Sequence, residues 1–583
     1  MTLSIPRRTL LRSGALGLAG LGLGRYVPAW AQSGTGGIAP AMGTLSGNEI
    51  ALRVAHSPFA VGGRSGHAVT INGTLPAPLL RLREGQNVRI HVDNALDEDT
   101  SIHWHGLLVP FQMDGVPGVS FPGIRPGARF TYDFPVIQSG TYWYHSHSGL
   151  QEPMGHYGPI IIDPAGADPV AFDREHVIVL SDWSFLHPHQ VMQRLKQEAG
   201  FFNRQRRTVL ERTGRDAMPD ADSAMFAAMR MDPTDIADVT GATYHYLVNG
   251  HGTQENWTGL FRSGERVRLR IINSASQTIF NFRIPGLAMI VVAADGQNVQ
   301  PVDVDEFQIG NAETYDVIVT PQEDRAYSIV AEAIDRSGMV VATLAPRLGM
   351  SAEAPPLRDR PLLTMVDMGM ANMPSDSMAG MDHAAMGHGG GEQSGGGMRH
   401  NMRDASRVSF PVGPGVDMIA PMPVDRIDFP GIGLDTVEHR VLNYRQLVAL
   451  IARRDTREPS RRIEVHLTGN MERFMWSLDG QRLSENPEPY RFERDERVRM
   501  TFVNDSMMTH PMHLHGHFFE LVNGHGLHQP SKHTVRVFSG GTISVDFPAD
   551  APGDWVLHCH LLYHMHAGMM RVVTVRPLVG GAA

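Results

Sequence analysis

The chain has 583 residues, 42% hydrophobic and 19% charged, with a formal net charge of −10. That balance describes several globular domains with sizeable cores, and it removes any electrostatic case for nucleic acid or an anionic membrane surface. Two counts stand apart, 29 His against a single Cys; one Cys excludes an internal disulfide, so the fold must be held by its cores.

Residues 1–31 read as a signal peptide. Arg7 and Arg8 precede a short apolar run from Ala15 to Gly24, and Ala29-Trp30-Ala31 offers a small-x-small cleavage site. The run is too short for a permanent span, and paired arginines ahead of it resemble a twin-arginine export signal. The mature protein is therefore expected in the periplasm, with no membrane span.

Next in chain order comes a repeat. Val69-Thr70-Ile71-Asn72-Gly73, Tyr246-Leu247-Val248-Asn249-Gly250 and Trp476-Ser477-Leu478-Asp479-Gly480 are each followed by an alternating segment ending at Asn94, Asn273 or Asn504. A turn dipeptide and then apolar residues at every second position predict β-strands with one buried and one wet face. Three copies predict an all-β protein of three consecutive β-sandwich domains at 45–165, 172–346 and 435–577. Residues 185–235 read as a partly helical insertion in the second domain. Residues 347–434 read as a long linker rich in Met, His and Gly.

Counting nine and eleven residues beyond each Asn gives His103 and His105, then Phe282 and Ile284, then His513 and His515. A second landmark near the domain ends carries His145 and His147 in the first domain, and His558 and His560 in the third. The middle domain has no histidine at the matching places and reads as a spacer without metal chemistry. A His-x-His pair on a strand points both imidazoles to one face. Four such pairs at matched positions of two domains can enclose several metal ions, and imidazole suits copper.

The lone Cys lies inside one of these pairs, His558-Cys559-His560. Its thiol faces away from the two imidazoles. With His510, His564 and Met569 it makes two His, one thiolate and a weak thioether, the donor set of a blue electron-transfer copper. The short covalent path from Cys559 to His558 or His560 would carry electrons to the second site. A structural zinc does not match one thiolate among so many imidazoles. A copper nitrite reductase needs only three His for its second copper, fewer than the eight paired here.

His103-Trp104-His105-Gly106, His145-Ser146-His147, His510-Pro511-Met512-His513-Leu514-His515 and His558-Cys559-His560 with His564 and Met569 resemble the four copper motifs of multicopper oxidases. Met113-Asp114-Gly115-Val116-Pro117-Gly118 and Leu467-Thr468-Gly469-Asn470-Met471-Glu472-Arg473 are similar to the periplasmic copper-resistance protein A group of that family, as are Met365-Val366-Asp367-Met368-Gly369-Met370 and Met381-Asp382-His383-Ala384-Ala385-Met386. The resemblance covers nearly the whole mature chain. It implies cupredoxin-like Greek-key domains and four copper ions. Type 1 copper would be held by His510, Cys559 and His564 with Met569 axial, and type 2 by His103 and His513. The type 3 pair would be held by His105, His145, His147, His515, His558 and His560. It also implies that Asp114 relays protons, that His558, Cys559 and His560 pass electrons, and that dioxygen is the acceptor. A departure is His566, where relatives often place a carboxylate.

Residues 365–402 hold nine of the 32 Met among Gly, Asp and His. Thioethers favour Cu(I), and a hydrophilic Gly-rich stretch is not expected to bury them in a core. Met365, Met368, Met370, Met373, Met378, Met381, His383, Met386 and His388 are therefore expected to bind additional Cu(I). The implied activity is oxidation of Cu(I) or small phenols for copper resistance, alongside other periplasmic copper-handling proteins. The alternative is a copper-sequestering protein whose oxidase activity is incidental.

Overall fold

In the computed structural model of the chain, residues 42–207, 218–229, 231–370 and 402–577 are described. The expected signal segment 1–31 and Met373, Met378, Met381, His383, Met386 and His388 lie outside them.

The repeat becomes three sandwiches of two sheets each. The first joins a five-stranded sheet to a four-stranded one, the second joins six strands to five, and the third joins seven strands to five. Each turn dipeptide takes a left-handed conformation at both positions. Asn72 and Gly73 have φ of 53° and 79°, and Asn249 and Gly250 have 52° and 80°; Asp479 and Gly480 have 51° and 68°. Two positive φ values in a row match the right-handed twist of a hairpin, which only Asn, Asp and Gly adopt cheaply.

The Asn that ends each repeat has a structural reason. Asn94 Nδ2 donates to the carbonyls of Glu98 and Ile124 at 2.8 and 2.7 Å, and its Oδ1 accepts from Leu96 N at 2.9 Å. Asn273 and Asn504 bind equivalently to Thr278 and Ile309, and to Met508 and Val537. One side chain therefore satisfies the backbone as the chain crosses from one sheet to the other, where a buried unpaired amide would be costly. The strand reached after that crossing bears His103 and His105 in the first sandwich, and His510 and His513 in the third.

Alternation holds in the strand Asn87–Asn94, where Val88, Ile90 and Val92 are buried and Asn87 and Arg89 are exposed. It fails in Val267–Asn273, which is buried at every position. The expected wet face of that strand is covered by the first sandwich: Arg270 Nη1 donates to Thr141 Oγ1 at 3.0 Å, and Thr141 Oγ1 donates to Asp316 Oδ1 at 2.8 Å, Asp316 also pairing with Arg268 of its own sheet at 2.6 Å. Polar residues on a nominally exposed face here form an interface between sandwiches.

The insertion carries two helices, Pro188–Gln197 and Asp220–Ala228. The stretch expected as a hydrophilic linker is partly packed instead. Arg358 pairs with Glu306 and Glu332 of the second sandwich. Met368 and Met370 are buried in one apolar cluster with Leu363, Met225, Met418, Ile432 and Met507, and Met365, Met229, Met231 and Met471 pack against it. The expectation that these methionines stay out of a core is corrected at Met365, Met368 and Met370. The insertion and the third sandwich supply the apolar partners that the local sequence lacks.

Candidate metal centre

The strand His103–His105 pairs antiparallel with Gly140–His145, placing His103 opposite His145. The strand His510–Leu514 pairs with Gly553–Cys559, placing His513 opposite His558 and Met512 opposite Cys559. The first and third sandwiches bring these strands face to face, and all four His-x-His pairs meet between them. The rings of His103 and His515 stack at 3.8 Å, as do those of His105 and His513.

Ligand atoms converge in three histidine groups: His103, His105 and His513; His105, His145 and His560; and His147, His515 and His558. Outer ring nitrogens are anchored. His103 Nδ1 lies 2.8 Å from Asp114 O, His513 Nδ1 2.6 Å from His533 O, and His558 Nδ1 2.9 Å from Cys559 O. Carbonyls accept only, so those nitrogens carry the proton and Nε2 is left with its lone pair. His105 is turned the other way, Nε2 lying 3.3 Å from Thr534 Oγ1. The inward atoms have no hydrogen-bond partner: Nε2 of His103, His145, His147 and His513, Nδ1 of His105, and both nitrogens of His560. Burial, and after it the neighbouring histidines, drives the pKa of His105, His145, His513, His515 and His560 well below the usual value. Neutral imidazoles with unpartnered lone pairs in a sealed space fit metal ions, and the all-imidazole set suits copper.

The single Cys forms a separate centre on the other side of its strand. Cys559 Sγ lies 3.5 Å from His510 Nδ1 and 3.9 Å from His564 Nδ1, and those two nitrogens face each other at 3.2 Å. Both rings are held from behind: His510 Nε2 by Ser506 Oγ at 2.7 Å and His564 Nε2 by Asp238 Oδ2 at 2.8 Å. Trp476 stacks on His564 at 3.8 Å. Burial pushes the Cys559 thiol up, so the thiolate needs a cation beside it. Met569 is fully buried, and its backbone bonds Cys559 N and His564 O at 3.1 and 3.0 Å. Two imidazoles and a thiolate with facing lone pairs fit a copper ion here too.

Asp114, expected from the family motif, touches two histidine groups. Its Oδ2 is 2.8 Å from His515 Nδ1 and its Oδ1 is 3.3 Å from His103 Nδ1. His566 is exposed on the helix Leu562–Ala567. Asp238 and Glu152 also stand behind ligand histidines, and no sequence motif announces either. Glu152 Oε2 lies 2.7 Å from His145 Nδ1, and burial raises its pKa well above the carboxylate range. Asp238 comes from the domain expected to be inert, and nothing local marks it. Glu152 follows His147 by five residues in a segment whose turn geometry the sequence does not reveal.

An open cleft of about 620 Å³ is lined by Met231, Asp232, Asp235, Met471, Glu472 and Met507, together with Arg206, and Asp235 there senses the charge of Asp238, which binds His564. Burial lifts the Asp235 carboxyl to about 7, and the charge of Asp238 adds to it; burial lifts Asp238 itself to about 7.

Comparison with known proteins agrees with this geometry. Multicopper oxidase family models match residues 54–167, 174–346 and 456–579. The chain is 46% identical to copper resistance protein A of Escherichia coli, over 99% of this chain and all of that protein. This chain belongs to the multicopper oxidase family. It is likewise 46% identical to copper resistance protein A of Pseudomonas syringae pv. tomato, over 98% of this chain and 99% of that one. The structure of Fet3p, a multicopper oxidase that functions in iron import, superposes with a TM-score of 0.62 at 20% identity over 92% of this chain and 91% of that one. A laccase from Botrytis aclada gives 0.61 at 21% over 93% and 92%. These structures share the fold, three cupredoxin-like sandwiches. As a member of the family this multicopper oxidase is an oxidoreductase with copper cofactors. Among the described residues no helix is long and apolar enough to cross a membrane.

Proposed function

We propose that this multicopper oxidase takes single electrons from Cu(I), delivers four of them to dioxygen, and serves copper resistance in the periplasm after twin-arginine export. The reaction balances as four Cu(I), four protons and one dioxygen giving four Cu(II) and two waters. One observation carries the reading: Cys559 sits between His510 and His564 while its chain neighbours His558 and His560 enter the histidine groups on the far side. A donor site and an acceptor site are thereby joined through one residue of backbone.

His510, Cys559 and His564 with Met569 would hold the type 1 ion, and His103 and His513 the type 2 ion. His105, His145 and His560, and His147, His515 and His558, would hold the type 3 pair, giving four coppers in all. Bound copper supplies the one-electron chemistry at the first site and the dioxygen chemistry at the second. The residues do the rest. Ser506 and Asp238 fix the two imidazoles, so the site changes little between oxidation states. Asp114, buried against His103 and His515, would relay protons to dioxygen. The three domains would run over 45–165, 172–346 and 435–577.

The cleft favours Cu(I) as donor. Burial, and after it the charge of Asp238, disfavours the Asp235 carboxylate lining the cleft, which a cation relieves, and the thioethers of Met231, Met471 and Met507 select a soft one. Small phenols remain a second donor class. Met365, Met368 and Met370 pack behind the cleft and contribute to it through Met231, Met471 and Met507, which belong to the same cluster.

Oxygen uptake by the copper-loaded protein, with Cu(I) and separately with a phenol, tests the reading. Replacing Met471 and Met507 by Leu is expected to cut the Cu(I) rate about tenfold or more, on the scale of losing ligand-supporting groups, and to leave the phenol rate within twofold. Uptake with neither donor, at more than four coppers per chain, would leave a copper-sequestering protein instead.

A further inference from the structure

The second sandwich supplies none of the ligands grouped above, yet one of its hairpins reaches the residues that hold those histidines in place. The strands Met289–Ala294 and Gln297–Val304 are joined by Asp295 and Gly296, with φ of 47° and 75°. This two-residue turn lies between the other two sandwiches. On one side it meets the strand Gly140–His145: a Cβ on Gly140 would stand 2.2 Å from Gly296 O, and one on Gly296 would stand 2.3 Å from the Tyr142 ring. Gln297 Nε2 donates to Tyr142 Oη at 2.9 Å. Nothing bulkier than glycine fits at either point, so the two backbones set each other's position.

On the other side the turn meets Lys532-His533-Thr534 of the third sandwich. Asp295 Oδ2 accepts from His533 N at 3.2 Å and Thr534 N at 3.1 Å, and pairs with Lys532 Nζ at 3.0 Å. Its Oδ1 accepts from Thr314 N of its own sandwich at 3.0 Å. Lys532 also pairs with Glu313 at 3.1 Å, and Glu313 with Arg536 at 2.9 Å. Two carboxylates from the second sandwich thus meet two cations from the third, all four side chains being at most 2% exposed. Such a buried quartet adds little net stability, because desolvation offsets most of the attraction, but it is satisfied in one arrangement only.

The residues so clamped are the acceptors that orient two copper-site histidines. His533 O receives His513 Nδ1 at 2.6 Å, and Thr534 Oγ1 receives His105 Nε2 at 3.3 Å. The turn therefore touches the strand that carries His145 and also the strand that aims His513 and His105.

We propose that Asp295 of the second sandwich is a positioning residue for the histidine centre, holding the His533-Thr534 acceptors against the Gly140–His145 strand. The effect is greatest at type 2 copper, because His513 is one of its two histidines. This rests on the assignment of His103 and His513 to type 2 copper.

The test is Asp295→Asn in the full, copper-loaded chain. Asn tolerates the left-handed turn, so the substitution removes the charge and one acceptor without backbone strain. Electron paramagnetic resonance reads the type 1 and type 2 signals separately, and metal analysis gives copper per chain. The type 1 signal, built around Cys559, reports folding. The expected result is a full type 1 signal with the type 2 signal reduced at least twofold, and loss of type 2 copper to a chelator at least tenfold faster than in the parent. Type 1 and type 2 signals that fall together, or a type 2 signal and chelator rate equal to the parent's, would overturn the proposal. If the single variant does not accumulate, the charge-neutral pair Asp295→Asn with Lys532→Met is read the same way. A parent protein without a type 2 signal would sink the ligand assignment itself; a parent with one and an unchanged variant sinks only the role of Asp295.

Discussion

The two metal centres are built by opposite strategies. The Cys559 centre draws its donors from residues 510–569 of one sandwich, and the second sandwich contributes the anchoring Asp238. The histidine centre takes His103, His105, His145 and His147 from the first sandwich and His513, His515, His558 and His560 from the third. The first exists once a single domain has folded. The second exists only when two domains are held in register, which is why its surroundings are dense with buried polar contacts across sandwiches: Asp114 on His515, Thr534 on His105, and Asp295 on His533 and Thr534. A centre inside one fold inherits its precision from that core; one between folds needs its own fixing.

Separating the centres by mutation breaks the comparison most sharply. Cys559→Ser is expected to abolish the intense blue absorption and bring oxygen uptake to background, while the type 2 resonance persists. Loss of both signals together would mean that the centres are not independent. Asp114→Ala acts on the other centre. It removes a contact to both His103 and His515, and oxygen uptake is expected to fall about 10–100-fold with the blue colour intact. Asp238→Asn keeps the size of the group on His564 Nε2 and removes its charge. About a tenfold loss with Cu(I) is expected, together with a shift of the blue band, since the group behind a ligand tunes the metal.

The smallest effect concerns the frame around the Cys559 centre. His466 stands between Asp505 at 2.6 Å and Glu464 at 2.8 Å, and Asp505 in turn accepts from Ala420 N of the segment before the third sandwich. Burial lowers the His466 pKa, but the bonds to Asp505 and Glu464 outweigh it and bring it up to about 9. A pKa raised on folding stabilises fully below the unfolded value near 6.5 and is lost as pH rises through about 9. Between those limits stability should fall by about 1–3 kcal/mol, less than the full shift implies because Glu464 is solvated. His466→Gln should flatten that slope in thermal melts taken across the interval, and an unchanged slope would assign it to another group.

Much of the metal chemistry was legible in the chain because it is local. A strand alternates with period two, so His558-Cys559-His560 places its thiol opposite its imidazoles whatever else the protein does. The fixed distance from Asn94 and Asn504 to the ligand pairs is equally local, since that Asn builds the crossover leading to them. Met368 and Met370 were misread for the complementary reason. Their own neighbours are Gly and Asp, and the apolar partners that bury them, Met225, Ile432 and Met507, come from segments far along the chain.

By itself, then, the sequence determined three β-sandwiches, their order, and the donors that each strand can present, because hydrogen-bonding period, turn chemistry and ligand type are properties of a few adjacent residues. Tertiary structure decided which donors meet, that Asp238 and Glu152 stand behind His564 and His145, and that a domain without grouped metal ligands sends Asp295 to the edge of the histidine centre. Asp238 and Asp295 reach residues hundreds of positions away, and Glu152, though only seven residues beyond His145, reaches it through a turn that no alternation or turn dipeptide marks. Their selection rests on the mutual fit of whole surfaces, where each buried charge must find its partner, and no local pattern records it.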